Sequence, residues 1–382
     1  VTSSTGTASR GAGAEATTRE IAQQPRLWRE VERLVSARRA SLEEFLAPLV
    51  AHENLRVVLA GAGTSHHVGQ ILATTLARRL GRRVEAIATT DIVADPHGSF
   101  AQDVPTLLVS FARSGDSPES VATTELAEQC LSECHHLVIT CNSAGHLART
   151  HAERPKSQVL LLPAESNDEG FAMTSSFTCM TLAALLTLGG TSYDGLGDRL
   201  AAAAERVLAT VDAKAHTLVD QAPERLVYLG SGALRGLAAE SALKVLELTA
   251  GQIVATSESS LGFRHGPKAI RNDNTVVITY VSNDPYTRQY DLDIVAELLE
   301  GARPGGVVTV AASTAGLPEE STWLLEGLED VDDAALALPA IVCAQLIGLY
   351  ASLGLGLTPD NPFPSGEVNR VVQGVTLHRL RA

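Results

Sequence analysis

Four ionisable side chains along one stretch of the chain could move protons between them: Glu240, Lys244, Glu247 and His265. The first three lie in a segment rich in Ala, Leu, Lys and Glu, a composition that favours helix, predicted to begin near Ala233. On that helix they fall at i, i+4 and i+7 on one face, while Leu237, Leu243, Val245, Leu246 and Leu248 make most of the remainder apolar. A solvated Glu240–Lys244 pair, worth about 0.2–0.5 kcal/mol, would account for such a stripe. The next segment favours chemistry instead. A turn-rich run, 257–264, delivers His265 just before Gly266-Pro267, where one residue permits and the other restricts unusual backbone geometry. Carboxylates, a lysine and a loop histidine make an acid/base set.

A second group of residues suits an anion. Ser114, Gly115 and Ser117 follow an apolar strand and open a helix, where backbone N–H groups and hydroxyls bind phosphate without bulk positive charge; Arg113 adds a cation. Gly63, Thr64 and Ser65 form another polar turn at a strand end. Ordinary helix capping would use the same residue types. Gly61-x-Gly63 and Gly230-x-Gly232-x-x-x-Gly236 echo a dinucleotide fingerprint, but His66 stands where the first needs glycine and the second has its last glycine one residue late. Cys130, Cys134, His135 and His136 could be metal ligands, or could be buried for packing where a helix runs into strand 137–140. No cofactor and no metal are expected.

The elements that position these residues repeat. An apolar strand runs into Gly-x-Gly and then a helix at 56–63 and again at 225–232, an internal duplication by pattern. Strands at 57–60, 84–88, 106–109, 137–140 and 158–162 alternate with helical spans, as do strands beginning at Leu226, Thr275 and Gly306. This alternation predicts α/β architecture with two doubly wound parallel sheets. Residues 1–16 read as a disordered tail and 17–50 as an N-terminal helical arm, with a separate helix at 42–50. The first domain is placed at 51–215 and the second at 216–382, joined near 214–223 after a helix at 200–212. The Pro-rich segment 358–364 is expected to wrap the surface or close a site.

The pattern Glu240-Ser241-Ala242-Leu243-Lys244-x-x-Glu247 with a loop ending His265-Gly266-Pro267 resembles the isomerase half of glucosamine-6-phosphate synthase and the wider sugar isomerase (SIS) superfamily. Segments 20–25, 110–115, 170–179 and 282–288 narrow the resemblance to the tagatose-6-phosphate ketose/aldose isomerase family, whose better-supported activity is galactosamine-6-phosphate deamination; it runs from about Thr18 onward. It implies two flavodoxin-like SIS domains, Glu247 moving the proton between C1 and C2, and His265 opening the sugar ring. His265 would serve the neighbouring subunit's site, so a homodimer or a dimer of dimers is expected. Lys244 and Glu240 join the catalytic set by the same resemblance, and Ala172 joins the substrate-binding set. In the family's phosphate loop, Ser-x-Ser-Gly-x-Ser/Thr, the first serine falls here on Ala112. The synthase's imine-forming lysine has no counterpart in 369–376, and no glutaminase domain is seen to supply ammonia. Deamination to tagatose 6-phosphate is therefore expected, with a neutral-sugar isomerase or a sugar-phosphate-sensing regulator as alternatives. No helix-turn-helix supports the last.

Composition sets bounds. With 30 basic and 44 acidic residues among 382, the net charge of −14 disfavours nucleic acid as a partner. Hydrophobic content of 45% with only 4% aromatic residues suits an α/β core. Five scattered cysteines give no disulfide framework. No membrane span or signal-peptide core is read, so a soluble cytoplasmic protein is expected.

Overall fold

The computed structural model describes residues 13–372 and 374–380. Two helices, α1 (Glu15–Ala22) and α2 (Gln24–Val50), precede the first sheet unit. That unit comprises β1 (Arg56–Gly61), α3 (Thr64–Leu80), β2 (Arg83–Ala88), α4 (Thr89–Ala94), α5 (Pro96–Ser99), β3 (Thr106–Ala112), α6 (Pro118–Cys130), β4 (Cys134–Thr140), α7 (His146–His151), β5 (Ser157–Leu161) and α8 (Ser175–Gly189). The long α9 (Leu196–Asp220) leads to the second: β6 (Arg225–Leu229), α10 (Ala233–Leu248), β7 (Val254–Glu258), β8 (Thr275–Tyr280), α11 (Pro285–Leu299), β9 (Val307–Ala311), β10 (Thr322–Leu324) and α12 (Asp333–Gly354). The sheets are parallel and five-stranded, ordered β2-β1-β3-β4-β5 and β10-β9-β8-β6-β7. Read from their first Gly-x-Gly strand the two orders coincide, so the duplication in the sequence is one of topology.

One large apolar cluster draws residues from both sheets and from α2, α3, α8, α9, α10 and α12. Of these helices α8 and α12 are buried on nearly all sides, and α12, enclosed by apolar neighbours, carries no polar face. The expectation that no segment is long and apolar enough to span a membrane needs correcting. Among the described residues α12 is long and apolar enough, but 94% of its most apolar window is buried inside the protein, as a core helix requires.

Several boundaries differ from the sequence reading. Residues 1–12 lie outside the described residues, but 13–16 are not a tail: the Asp360 carboxylate accepts hydrogen bonds from the N–H groups of Ala16 (3.1 Å) and Thr17 (2.8 Å), supplying from the far end of the chain the cap that α1 lacks locally. Helix α2 runs unbroken to Val50; Ala and Arg at 37–40 sustain it where apolar periodicity lapses, and Pro48 falls in its last turn. Helix α9 passes through the expected boundary at 215/216 and ends at Asp220, leaving 221–224 as the connection. The edge strands β7 and β10 were not expected. The first is short and partly polar, and the second has only three residues.

Candidate active site

Both Gly-x-Gly turns have a local mechanical cause. A Cβ on Gly61 would sit 2.5 Å from backbone atoms of Ser65, and one on Gly230 would sit 2.3 Å from the Leu234 carbonyl. Gly63 and Gly232 take nearly the same left-handed conformation, φ 53° and 56°. The glycines serve a tight strand-to-helix turn. Gly236, the third glycine of the second motif, lies where α10 crosses α3: its Cβ would fall 2.8 Å from the Ile71 nitrogen. This close crossing pushes the charged stripe of α10 against the first turn of α3.

There the stripe is not solvated. Glu240 and Lys244 are fully buried. Lys244 Nζ donates to Thr64 Oγ1 (2.8 Å) and Glu247 Oε2 (2.5 Å) and lies 3.3 Å from Glu240 Oε1, so its three protons all have acceptors. Glu240 Oε1 accepts from Thr64 Oγ1 (3.1 Å), and its Oε2 lies 2.7 Å from His67 Nδ1. Burial would lower the lysine's affinity for its proton, but the two carboxylates more than reverse this and hold it above the ordinary lysine value. Burial raises Glu247 above the ordinary carboxylate value, opposed by Lys244 and Arg113 and assisted by Glu240. The Glu247 side chain retains 24% exposure, so it alone of the three on α10 meets solvent. The bland reading of a surface ion pair is thereby replaced by a buried, proton-holding chain.

A small cavity of about 120 Å³ opens on the other side of the same turn, with Ser65, Ser114, Ser117, Met173 and Arg113 in its wall. Thr64 faces the charged chain while its neighbour Ser65 faces the cavity. Arg113 is buried; Nη2 donates to the Arg370 carbonyl (2.7 Å) and Nη1 has no partner, an orphaned donor beside the cavity. Burial, with Arg370 nearby, lowers its pKa. Ser117 Oγ donates to Ser120 Oγ (2.6 Å), and Gly115 takes φ 72° to turn the loop. Ala172 is buried, and it is the adjacent Met173 that reaches the wall. The loop carrying both is pinned at each end: Glu20 accepts from the N–H groups of Glu169 (2.6 Å) and Gly170 (3.2 Å), and buried Asp168 accepts from those of Thr174, Ser175 and Ser176. The tail closes one side through 370–372, while Gln373 lies outside the described residues.

Of the expected set, Ser65, Ser114 and Ser117 share this cavity; Glu247 is not in its wall and connects to it through Lys244 and Thr64. His265 ends a short turn (Gly262–His265), is exposed, and makes no side-chain hydrogen bond among the described residues. Within one chain it joins neither group. Sequence reasoning missed His67, although its position three residues after Thr64 places both on one face of α3. Cys134 and His136 are held by packing: burial pushes the thiol up to about 12 and the imidazole down to about 4, and the His136 ring lies 4.8 Å from that of His151.

The second unit repeats the crevice and fills it. Buried Asp291, on α11, accepts from Ser231 Oγ (2.6 Å) in the Gly-x-Gly turn, from Ser260 Oγ (2.5 Å) and from the Ser282 N–H (3.0 Å) after β8.

Two like parallel sheets, a small polar cavity at the β1/β3 end and a buried carboxylate–ammonium chain make an SIS-type α/β fold, and residues 49–188 match the SIS domain model. An AgaS relative from Streptomyces coelicolor is 67% identical over 367 residues, covering 95% of each chain. The Escherichia coli D-galactosamine-6-phosphate deaminase AgaS is 44% identical over 373 residues, covering 96% of each. The crystal structure of the Escherichia coli tagatose-6-phosphate ketose/aldose isomerase superposes with a TM-score of 0.87 at 41% identity, covering 97% of this chain and 99% of that one. The chain belongs to the AgaS family of SIS-domain proteins.

Proposed function

We propose that this chain converts galactosamine 6-phosphate and water to tagatose 6-phosphate and ammonia. The observation that carries the reading is the single turn Gly63-Thr64-Ser65, which joins an anion cavity to a half-buried carboxylate whose pKa is raised. The phosphate would lie against the Arg113 guanidinium, the hydroxyls of Ser65, Ser114 and Ser117, and the N–H groups opening α6. Glu247 takes the C2 proton from the open-chain 2-amino aldose and returns it to C1, giving a 2-imino ketose. Water adds to C2 and ammonia leaves, with the C4 configuration untouched. Glu247 suits this task because a base whose pKa is raised toward the working pH transfers protons in both directions. Lys244 makes no covalent bond, since its three protons are engaged and its pKa is raised.

His265 would open the sugar ring in the site of a second subunit, which accounts for its exposure here and makes a dimer the functional unit. Mixing Glu247→Gln and His265→Ala chains under conditions of subunit exchange should restore activity that neither has alone. The decisive assay measures ammonia release from 6-phosphorylated amino sugars differing at C4. Glu247→Gln should still bind the sugar phosphate while turnover falls by about 10²–10⁴. If neutral sugar phosphates isomerise and no amino sugar releases ammonia, the deaminase reading is wrong.

A further inference from the structure

The buried chain has one member that the reaction just described does not use. His67 stands in the first turn of α3, 16% exposed at the side chain, with Nδ1 2.7 Å from Glu240 Oε2. That oxygen has no other hydrogen-bond partner among the described residues, whereas Oε1 has Thr64 and the nearby ammonium. Lys244 divides its charge unequally, at 2.5 Å from Glu247 and 3.3 Å from Glu240. A fully buried carboxylate without a donor on one oxygen would draw the ammonium toward itself, because an unsatisfied buried charge is costly. With His67 donating to Glu240, the ammonium is left closer to Glu247.

We propose that His67 is a positioning residue for proton transfer: by satisfying Glu240 it keeps the Lys244 ammonium on Glu247, and so keeps Glu247 ionised and able to accept the substrate proton. The inference rests on the assignment of Glu247 as the base. The charged and titratable groups facing these residues are His66 on the same helix and Glu240 from α10 for His67, and Lys244, Glu240 and Arg113 for Glu247. None of them replaces the donor to Glu240 Oε2. Gly236 is part of the device, since only the close crossing of α3 and α10 brings the imidazole within reach.

The test compares His67→Leu with His67→Asn, whose amide nitrogen can occupy the place of Nδ1 and donate to Glu240 without being titratable. His67→Leu should leave KM within about twofold and move the acid limb of kcat upward by about one pH unit, which is about a tenfold loss of kcat on that limb, because Glu247 loses part of its cation. His67→Asn should restore the parent profile. Should the Leu variant fail to fold, His67→Ala against His67→Asn gives the same contrast, and binding of inorganic phosphate reports whether the cavity is intact. Variants that share one unchanged acid limb, or that change only KM or only the melting temperature, overturn the proposal. Glu247→Gln, run beside them, separates the two failures: if it retains full turnover the base assignment falls, and if it is inactive while the His67 variants behave as the parent, only the role of His67 falls.

Discussion

Replacing Lys244 by methionine keeps much of the side chain's length and removes its charge. It would leave Glu240, fully buried, and Glu247, half-buried, without the ammonium that both approach. Breaking a buried pair by deleting one partner costs about 3–5 kcal/mol. The loss should depend on pH, with a definite sign. Glu247 already has a folded-state pKa above its unfolded value, so its contribution to stability is fully present below about 4.5 and is lost as pH rises through the folded pKa. Without the ammonium that folded pKa rises further. The native variant then binds more protons than its unfolded chain over a wider range, and loses up to about 1.4 kcal/mol per pH unit on the way up. Melting curves for parent and variant from pH 5 to pH 8 would show the gap: small at pH 5, and on the order of 10 °C at pH 8, taking about 2–4 °C per kcal/mol. A variant whose melting temperature tracks the parent's across that range would refute the picture of Lys244 as the cation that satisfies Glu240 and holds down the Glu247 pKa.

Glu20, buried and raised to about 7 by burial and by Asp168, should make the arm-to-loop contact weaker as pH climbs through 7; Glu20→Gln should remove that dependence and melt higher than the parent at pH 8. Gly236→Ala forces a Cβ to within 2.8 Å of the Ile71 nitrogen and should cost about 1–3 kcal/mol in urea denaturation while lowering turnover, since it parts α10 from α3. Borohydride reduction in the presence of the amino-sugar substrate should leave the intact mass of the protein unchanged; a sugar adduct on Lys244 or Lys268 would require an imine mechanism instead.

The fold was legible because its signals are short and repeated: a strand such as 226–229 running into Gly230-x-Gly232 means the same thing twice. Glu240, Lys244 and Glu247 were legible as one helical face. Whether that face met water or protein was not, because the answer depends on Gly236, whose packing partner is 165 positions earlier at Ile71. His67 was hidden for the same reason, its meaning set by a residue on another helix. The strand Val254–Glu258 was lost because an edge strand with polar positions and no neighbour on one side lacks the apolar run by which its inner partners were found. The order of residues 13–16 depends on Asp360, which periodicity in the first forty residues cannot report.

The carboxylate of Asp291 gives the duplicated architecture an asymmetry of purpose. An anion approaching the C-terminal end of β6 and β8 meets a carboxylate already seated on the serine donors, so on the proposed reading a phosphate would be received at the turn of the first unit and not at the equivalent turn of the second. The second half would then be released from holding substrate, and it supplies α10, whose charged face bonds to Thr64 in the first turn of α3. Two halves of one topology would thus divide the work, one gripping and the other acting, with a single aspartate marking the division.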